Sequence, residues 1–175
     1  PPAGRFLDEV GRDPGKLRVA LCVDPWNGEP VDPGCRKGAE DAAKLCESLG
    51  HAVSIARPEF DVAPFRTATR IVVSANTYAT LSARAKALGK ALQASDAEPL
   101  TWMTAELGIK HTAADYAAAI TTLHRVGRVV ARFFTQHDIL LTPTMCSPPW
   151  PLGVLSLSSK DADGYLTAVN RSIAF

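Results

Sequence analysis

A strand, an amphipathic helix and a second strand follow one another in the first third of the chain, and this succession constrains the fold most. The compact apolar run 17–23 predicts a buried strand that ends at Asp24-Pro25. Asp32-Pro33 carries the signals of a helix start, and Gly50 those of a helix end. The alternating run 51–56 predicts the second strand. The whole is a βαβ crossover, which should be right-handed.

A third strand is predicted at residues 139–141, where three adjacent aliphatic side chains show no alternation. Such a run is typical of a strand that is buried on both faces, as in a parallel sheet covered by helices. Thr142-Pro143 ends the strand, because proline lacks a backbone donor and holds the preceding residue extended. Together with the crossover, this strand predicts an α/β fold with helices on both faces of the sheet.

Most of the remaining chain is predicted to be helical. The expected helices span residues 64–94, 99–107, 112–136 and 160–175. The first is alanine-rich with a period of 3.6, and a break is expected near Ser82 or Gly89. The third opens on Thr112-Ala-Ala-Asp115, which resembles a capping box. The last helix reaches Phe175 without a cap, which favours a chain that is part of a larger protein.

Composition and charge exclude several classes of partner. The 19 basic and 18 acidic residues nearly balance and form no basic run, so neither nucleic acid nor an anionic membrane surface is an expected partner. No stretch approaches the roughly 20 apolar residues of a transmembrane helix, and the start at Pro1-Pro2 lacks a signal peptide. The four cysteines include no C-x-x-C pair, which favours reduced thiols in a cytoplasmic protein.

Catalytic and metal-binding motifs are absent from the sequence. There is no G-x-S-x-G elbow, no Walker loop, no G-x-G-x-x-G after the first two strands and no H-E-x-x-H. The histidines stand singly, and packing, solvation or helix capping explains them better than a ligand role. We therefore predict no catalytic residue, no metal site and no cofactor within this chain.

Substrate-binding candidates lie on the loop after the third strand, because ligands of open α/β sheets bind outside the carboxyl ends of the strands. They are Thr144, Met145, Cys146 and Trp150, with plain packing as the alternative for the apolar ones. Cys146 as a nucleophile would need a histidine or helix N-terminus to lower its pKa, and the sequence shows neither. Asn76 is a further candidate that could face a bound amide, with surface solvation as the alternative.

Five stretches in order resemble the amidase signature hydrolases, over essentially the whole chain. They are Phe6-Leu-Asp-Glu-Val-Gly11, Lys16-Leu-Arg-Val-Ala-Leu21, the helix from Asp32 to Gly50 with His51-Ala-Val53, Thr112-Ala-Ala-Asp-Tyr116, and Asp138-Ile-Leu-Leu-Thr-Pro-Thr144. In that family these stretches follow the catalytic core. The resemblance implies that residues 1–175 are a single domain or part-domain, the C-terminal portion of a larger amidase-like domain with a mixed sheet.

The family hydrolyses carbon–nitrogen bonds of amides with a nucleophilic serine, a second serine in a cis peptide and a lysine. Those residues belong to upstream regions that are absent here, and Ser158-Ser159-Lys160 lies after the third strand, in the wrong order. The resemblance therefore implies a chain that is inactive alone and supplies sheet, covering helices and one wall of the pocket. Its implied partners are a small-molecule amide substrate and the missing N-terminal half, with a homo-oligomer left open. The alternative is a non-catalytic α/β module that binds a small ligand or a partner.

Overall fold

The protein is described by a computed structural model, which covers residues 4–173 and residue 175. The strands are β1 (Arg18–Leu21), β2 (Ala52–Ile55) and β3 (Ile139–Leu141). The α-helices are α1 (Pro33–Ser48), α2 (Val62–Ala87), α3 (Pro99–Ile109), α4 (Ala113–Phe133) and α5 (Ala162–Ser172), with short 3₁₀ helices at Phe6–Glu9 and Ala94–Asp96. The order of these elements confirms the predicted α/β class. The predictions for Pro1-Pro2 and for Ala174 lie outside the described residues.

The three strands form a parallel sheet in the order β2-β1-β3. Val19 at its centre pairs with Val53 on one side and with Ile139 on the other. This arrangement confirms the βαβ crossover and the third strand. Because all the described strands are parallel, the mixed sheet remains a prediction about a larger domain.

The core lies on the face of the sheet that α1 covers. Leu21 and Val23 pack there against Ala39 and Ala43 of α1, and Val53 and Leu141 flank them. α1 begins where it was predicted, because the Asp32 carboxylate accepts hydrogen bonds from the N–H groups of Gly34 (2.8 Å) and Cys35 (3.3 Å). The small side chains of Ala39 and Ala43 let α1 approach the sheet closely.

The end of α4 reaches the opposite face of the sheet. Ser54, which pairs with Ala20, has its Oγ 3.4 Å from Nε2 of His137. The His137 ring stacks on Phe133 at the last turn of α4, with ring centroids 4.4 Å apart. Ala20 is fully buried between these layers. α1 therefore covers one face, and His137, four residues beyond the end of α4, contacts the other. The predicted burial of the third strand on both faces was wrong for this chain, because Ile139 is 41% exposed and Leu140 and Leu141 are half-buried.

The helices α2, α3 and α4 pack mainly on one another. At Gly108 of α3 a Cβ atom would lie 2.2 Å from the carbonyl oxygen of Ser74, so only glycine permits this helix crossing. α2 continues past Ser82 and ends at Ala87, and Gly89, whose φ is 65°, lies just beyond its end. The predicted extension of this helix to Ala94 was wrong, because residues 88–93 are not helical. No helix among the described residues is long and apolar enough to cross a membrane.

Local capping explains which helix boundaries were predictable. At the start of α4 the Asp115 N–H donates to Thr112 Oγ (3.1 Å) and the Thr112 N–H donates to the Asp115 carboxylate (2.8 Å), which confirms the capping box. The predicted bounds of the last helix were wrong at both ends. α5 begins after its cap Asp161 and ends at Ser172, since Ile173 has φ −111° and ψ 64°.

Candidate functional site

Loops leave the carboxyl ends of all three strands at one edge of the sheet, because the strands are parallel. They are residues 22–32 after β1, residues 56–61 after β2 and residues 142–150 after β3, which we call the β3 loop. The C-terminal end of α5 lies at the same edge, where it accepts hydrogen bonds from Cys146, Trp150 and Asn27. This edge is where an open α/β sheet presents a ligand site.

The β3 loop is pinned at two points by α5. The Cys146 N–H donates to the carbonyl of Ser172 (3.1 Å), and Trp150 Nε1 donates to the Ser172 hydroxyl (2.6 Å). That hydroxyl in turn donates to the carbonyl of Ala168 (2.8 Å). The Cys146 carbonyl accepts from the N–H of Asp32 at the start of α1 (2.7 Å). A loop held by two helices gives the sheet edge a fixed wall.

The predicted residues of this loop occupy different depths. Cys146 is 1% exposed and lies at the base of the loop, a position that fits a wall or packing residue and not a nucleophile. Trp150 is half-buried and has its single polar atom engaged, so its ring offers only a carbon surface. Met145 is half-buried, and Thr144 is exposed.

Asn76 lies on α2, in the helical layer that α2 forms with α3 and α4. Its side-chain oxygen accepts a hydrogen bond from the hydroxyl of Tyr116 on α4 at 3.4 Å. The hydrogen bonds of the described residues connect Asn76 to that helix and not to the β3 loop. The structure thus brings four of the five predicted residues together on one loop, and the fifth stands apart. All five binding roles stay predictions.

A cluster around Trp26 joins the loops after β1 and β2, and sequence reasoning missed it. Trp26 Nε1 donates to the carbonyl of Pro58 (2.9 Å), and its ring stacks with Phe60 at 5.8 Å. The guanidinium of Arg57 lies 5.9 Å from the Trp26 ring centre and donates to the carbonyl of Asp24 (2.9 Å). The aromatic residues in two successive post-strand loops were the available signal.

Charges at this edge are paired and support no thiolate chemistry. Arg36 and Asp24 form an ion pair at 2.7 Å, and this carboxylate raises the pKa of Arg36. Burial raises the pKa of the Cys22 thiol, whose sulfur donates to the carbonyl of Asp24 at 3.3 Å. Cys22 therefore stays a protonated packing residue at neutral pH. The described residues contain no group of three or more side chains arranged to hold a metal ion.

Ser147 is a polar residue of the β3 loop that sequence reasoning did not select. Its Oγ is buried and has no hydrogen-bond partner among the described residues. An unsatisfied buried hydroxyl lowers the stability of the fold by about 1–3 kcal/mol, so such groups are rare in the interior of folded proteins. No feature of the sequence could have indicated it, since its burial depends on how the loop folds back.

Two grooves lie elsewhere, between α2 and α4. One groove of about 520 Å³ is lined by residues that include Asp61, Ile71, Asp115 and Ala119. A second of about 340 Å³ adjoins it near Phe60 and Arg125. None of the five predicted residues lines either groove. We favour the sheet edge as the site, because ligands of open α/β sheets bind outside the carboxyl ends of the strands and six of the ten residues that line the first groove are alanine or threonine.

Comparisons with known proteins give one consistent family. The family model described as Amidase matches residues 1–174. A lipoamidase of Enterococcus faecalis is 26% identical over 127 residues, which are 72% of this chain and 17% of that protein. The chain thus spans less than a fifth of this curated relative.

Two kinds of solved structure share the fold. A 6-aminohexanoate cyclic dimer hydrolase with bound substrate has a TM-score of 0.82 at 24% identity, covering 93% of this chain and 35% of that chain. A bacterial aryl acylamidase of the amidase signature family has a TM-score of 0.68 at 16% identity, covering 83% and 30%. At these identities the likeness concerns the fold, and the chain corresponds to about a third of each solved chain.

Proposed function

The chain belongs to the Amidase family, and from this premise we propose that it is the C-terminal portion of a hydrolase that cleaves carbon–nitrogen bonds of small-molecule amides. The family match over residues 1–174 is the observation that carries this proposal. The partial coverage of the solved relatives supports the view that residues 1–175 form part of a larger amidase-like domain. The remainder of that domain would complete a mixed sheet.

In this proposal the chain supplies no catalytic residue. Ser158 and Lys160 are exposed, and the Ser158 N–H bonds within its own loop, to Ser156 Oγ at 3.3 Å. The N–H groups of Cys146 and Asp32 at the sheet edge are already engaged, so they cannot act as oxyanion donors. The nucleophile, its base and the oxyanion donors would come from the rest of the enzyme.

The contribution of the chain is one wall of the substrate pocket, formed by Thr144, Met145, Cys146 and Trp150. The anchoring of this loop by Ser172 and Asp32 supports such a role, because a substrate is positioned well only by groups that do not move. Asn76 would contribute a polar contact from the helical layer.

The wider setting follows from the same premise. The partners we propose are a small-molecule amide and the N-terminal part of the domain. A homo-oligomer is also compatible with the proposal, and the mass of the protein in solution would decide it. A cytoplasmic location is part of the proposal, supported by the unbridged thiols of Cys22, Cys35 and Cys46.

The test is to express the gene product with its upstream flanking sequence and to assay hydrolysis of simple anilides. We expect hydrolysis that a serine-directed fluorophosphonate abolishes, and none from the 175-residue chain alone. An extended product without a Gly/Ser-rich segment and without hydrolysis would overturn the proposal. In that case, cooperative melting of the 175-residue chain together with binding of a small ligand would favour the alternative, a non-catalytic α/β module.

A further inference from the structure

The strand β3 lies at one edge of the sheet, although its sequence is that of an inner strand. Its three residues, Ile139, Leu140 and Leu141, are all aliphatic, a composition typical of strands inside a parallel sheet with both faces covered. Among the described residues, β3 pairs with β1 alone. Ile139 is 41% exposed, and the other two are half-buried. The sequence of β3 therefore indicates a cover that the described chain does not supply.

The strand β2 lies at the opposite edge, and its sequence suits that place. Val53 and Ile55 alternate with Ala52 and Ser54, a pattern typical of a strand with one face in water. Charged side chains surround it. An ion pair follows the strand within residues 57–59, and α1, which contacts β2, carries exposed Lys and Asp side chains that pair along the helix. Because charged side chains protect sheet edges from further pairing, β2 can remain an edge.

The length of the solved relatives supplies the occupant for the side of β3 that β1 leaves unpaired. The cyclic dimer hydrolase superimposes on 93% of this chain with a TM-score of 0.82, and yet this chain covers only 35% of it. For the aryl acylamidase the covered share is 30%. Most of each relative thus has no counterpart in the described chain, and a covering part of the same domain accounts for the exposure of β3.

We propose that the rest of the domain packs on β3 and not on β2, with one of its strands paired along the open side of β3 and its side chains over Ile139. This inference rests on the proposed function and says where the two parts of the enzyme join. It makes β3 an inner strand of the completed sheet. The β3 loop then lies beside the junction, where a nucleophile supplied by the rest of the enzyme can reach a substrate held by residues 144–150.

A second copy of the chain fits the open side of β3 less well. In a two-fold dimer the same strand would meet its copy, so each partner would contribute a strand of three residues. Stable interfaces between separate chains bury about 800 Å² on each partner, far more than such a strand offers. A strand of the same domain needs no such area, because it loses no independent freedom of movement on pairing.

The test compares two isoleucines, one in each edge strand, in the upstream-extended protein. Ile139→Lys should lower the melting temperature by at least about 5 °C, because the rest of the domain would bury the ammonium group without a partner. The matched control is Ile55→Lys in β2, where Ile55 is 86% exposed, and it should change the melting temperature by less than about 2 °C. Equal changes, or a larger change in the control, would overturn the proposal.

A second measurement holds even where the lysine variant does not fold, because cysteine is small and apolar. Ile139→Cys and Ile55→Cys are labelled with N-ethylmaleimide in the upstream-extended protein, and peptide mapping separates the new thiols from the four native ones. We expect labelling at position 139 to be at least about tenfold slower than at position 55. Similar rates at the two positions, or slower labelling at position 55, would overturn the proposal.

Assays of anilide hydrolysis on the same proteins separate this inference from the proposed function. Slow labelling at position 139 without hydrolysis by the wild type would support the junction at β3 and overturn the proposed hydrolase. Hydrolysis together with fast labelling at position 139 would do the reverse. Slow labelling that becomes fast on dilution, as the mass in solution falls from dimer to monomer, would assign the open side of β3 to a second copy and overturn the inference.

Discussion

Different contacts hold the chain together at the two ends of the parallel sheet. At the amino end, β1 and β3 are joined by a partly exposed ion pair in which the Arg18 guanidinium bonds both oxygens of Asp138 at 2.7 and 3.0 Å. At the carboxyl end, backbone bonds, the indole of Trp150 and the hydroxyl of Ser172 hold the β3 loop. The first depends on charge, whereas the second uses neutral groups that are partly or fully buried. The end built from neutral groups can present an apolar surface to a ligand.

The largest effect is expected from Ser172→Ala at the carboxyl end. This change removes the acceptor of the Trp150 N–H and leaves that donor without a partner in a partly buried position. We expect the free energy of unfolding to fall by about 1–3 kcal/mol, measured by urea denaturation. Ser172→Thr, which keeps the hydroxyl, is the matched control. Equal stability of the alanine variant and the wild type would show that the Trp150–Ser172 side-chain bond does not anchor the loop.

A smaller effect with a distinct pH dependence is expected from Asp138→Asn at the amino end. The bonds from Arg18 lower the pKa of Asp138 to about 2 from its ordinary value of 3.8. The ionised carboxylate therefore stabilises the fold above pH 3.8, and this contribution is lost as the pH falls toward 2. We expect the wild type to lose more stability than the variant across this window, measured by melting temperature.

Salt should affect the stability of the two ends of the sheet differently when the same melting temperatures are measured in 1 M NaCl. Because the ion pair is partly exposed, 1 M NaCl should screen it and reduce the difference between the wild type and Asp138→Asn. The difference between the wild type and Ser172→Ala should not change. If salt changed the wild type–Asp138→Asn difference and the wild type–Ser172→Ala difference by the same amount, the contrast between the two ends would be contradicted.

The smallest effect is expected from Ser147→Ala. Since the Ser147 hydroxyl is buried without a partner in the described chain, its removal should stabilise the fold, by no more than about 1 kcal/mol because the small cavity that is left offsets part of the gain. Ser147→Val, which adds volume at the same site, is the steric control. A clear loss of stability in the alanine variant would show that the hydroxyl has a partner, such as a bound water.

Short-range signals determined what the sequence could predict. The caps at Asp32 and Thr112 were predictable because each bonds atoms two or three residues away. The third strand and the loop after it followed from Thr142-Pro143. These features gave the α/β fold and the position of four candidate residues.

Long-range contacts account for what was missed. Trp150 meets Ser172 across 22 residues, Trp26 meets Pro58 across 32, and Arg18 meets Asp138 across 120. Polar and aromatic side chains at such separations have no periodic pattern that could indicate their partners. The helix that carries Asn76 was predicted, but its bond to Tyr116 on α4 across 40 residues was not.

We propose that substrate lies against the β3 loop at the carboxyl end of the sheet. Photolabelling of the upstream-extended enzyme with a diazirine-bearing anilide, followed by peptide mapping, tests this position. We expect label on residues 144–157, reduced by an excess of unlabelled anilide. Label confined to the groove between α2 and α4, around Ile71 and Ala119, would contradict it.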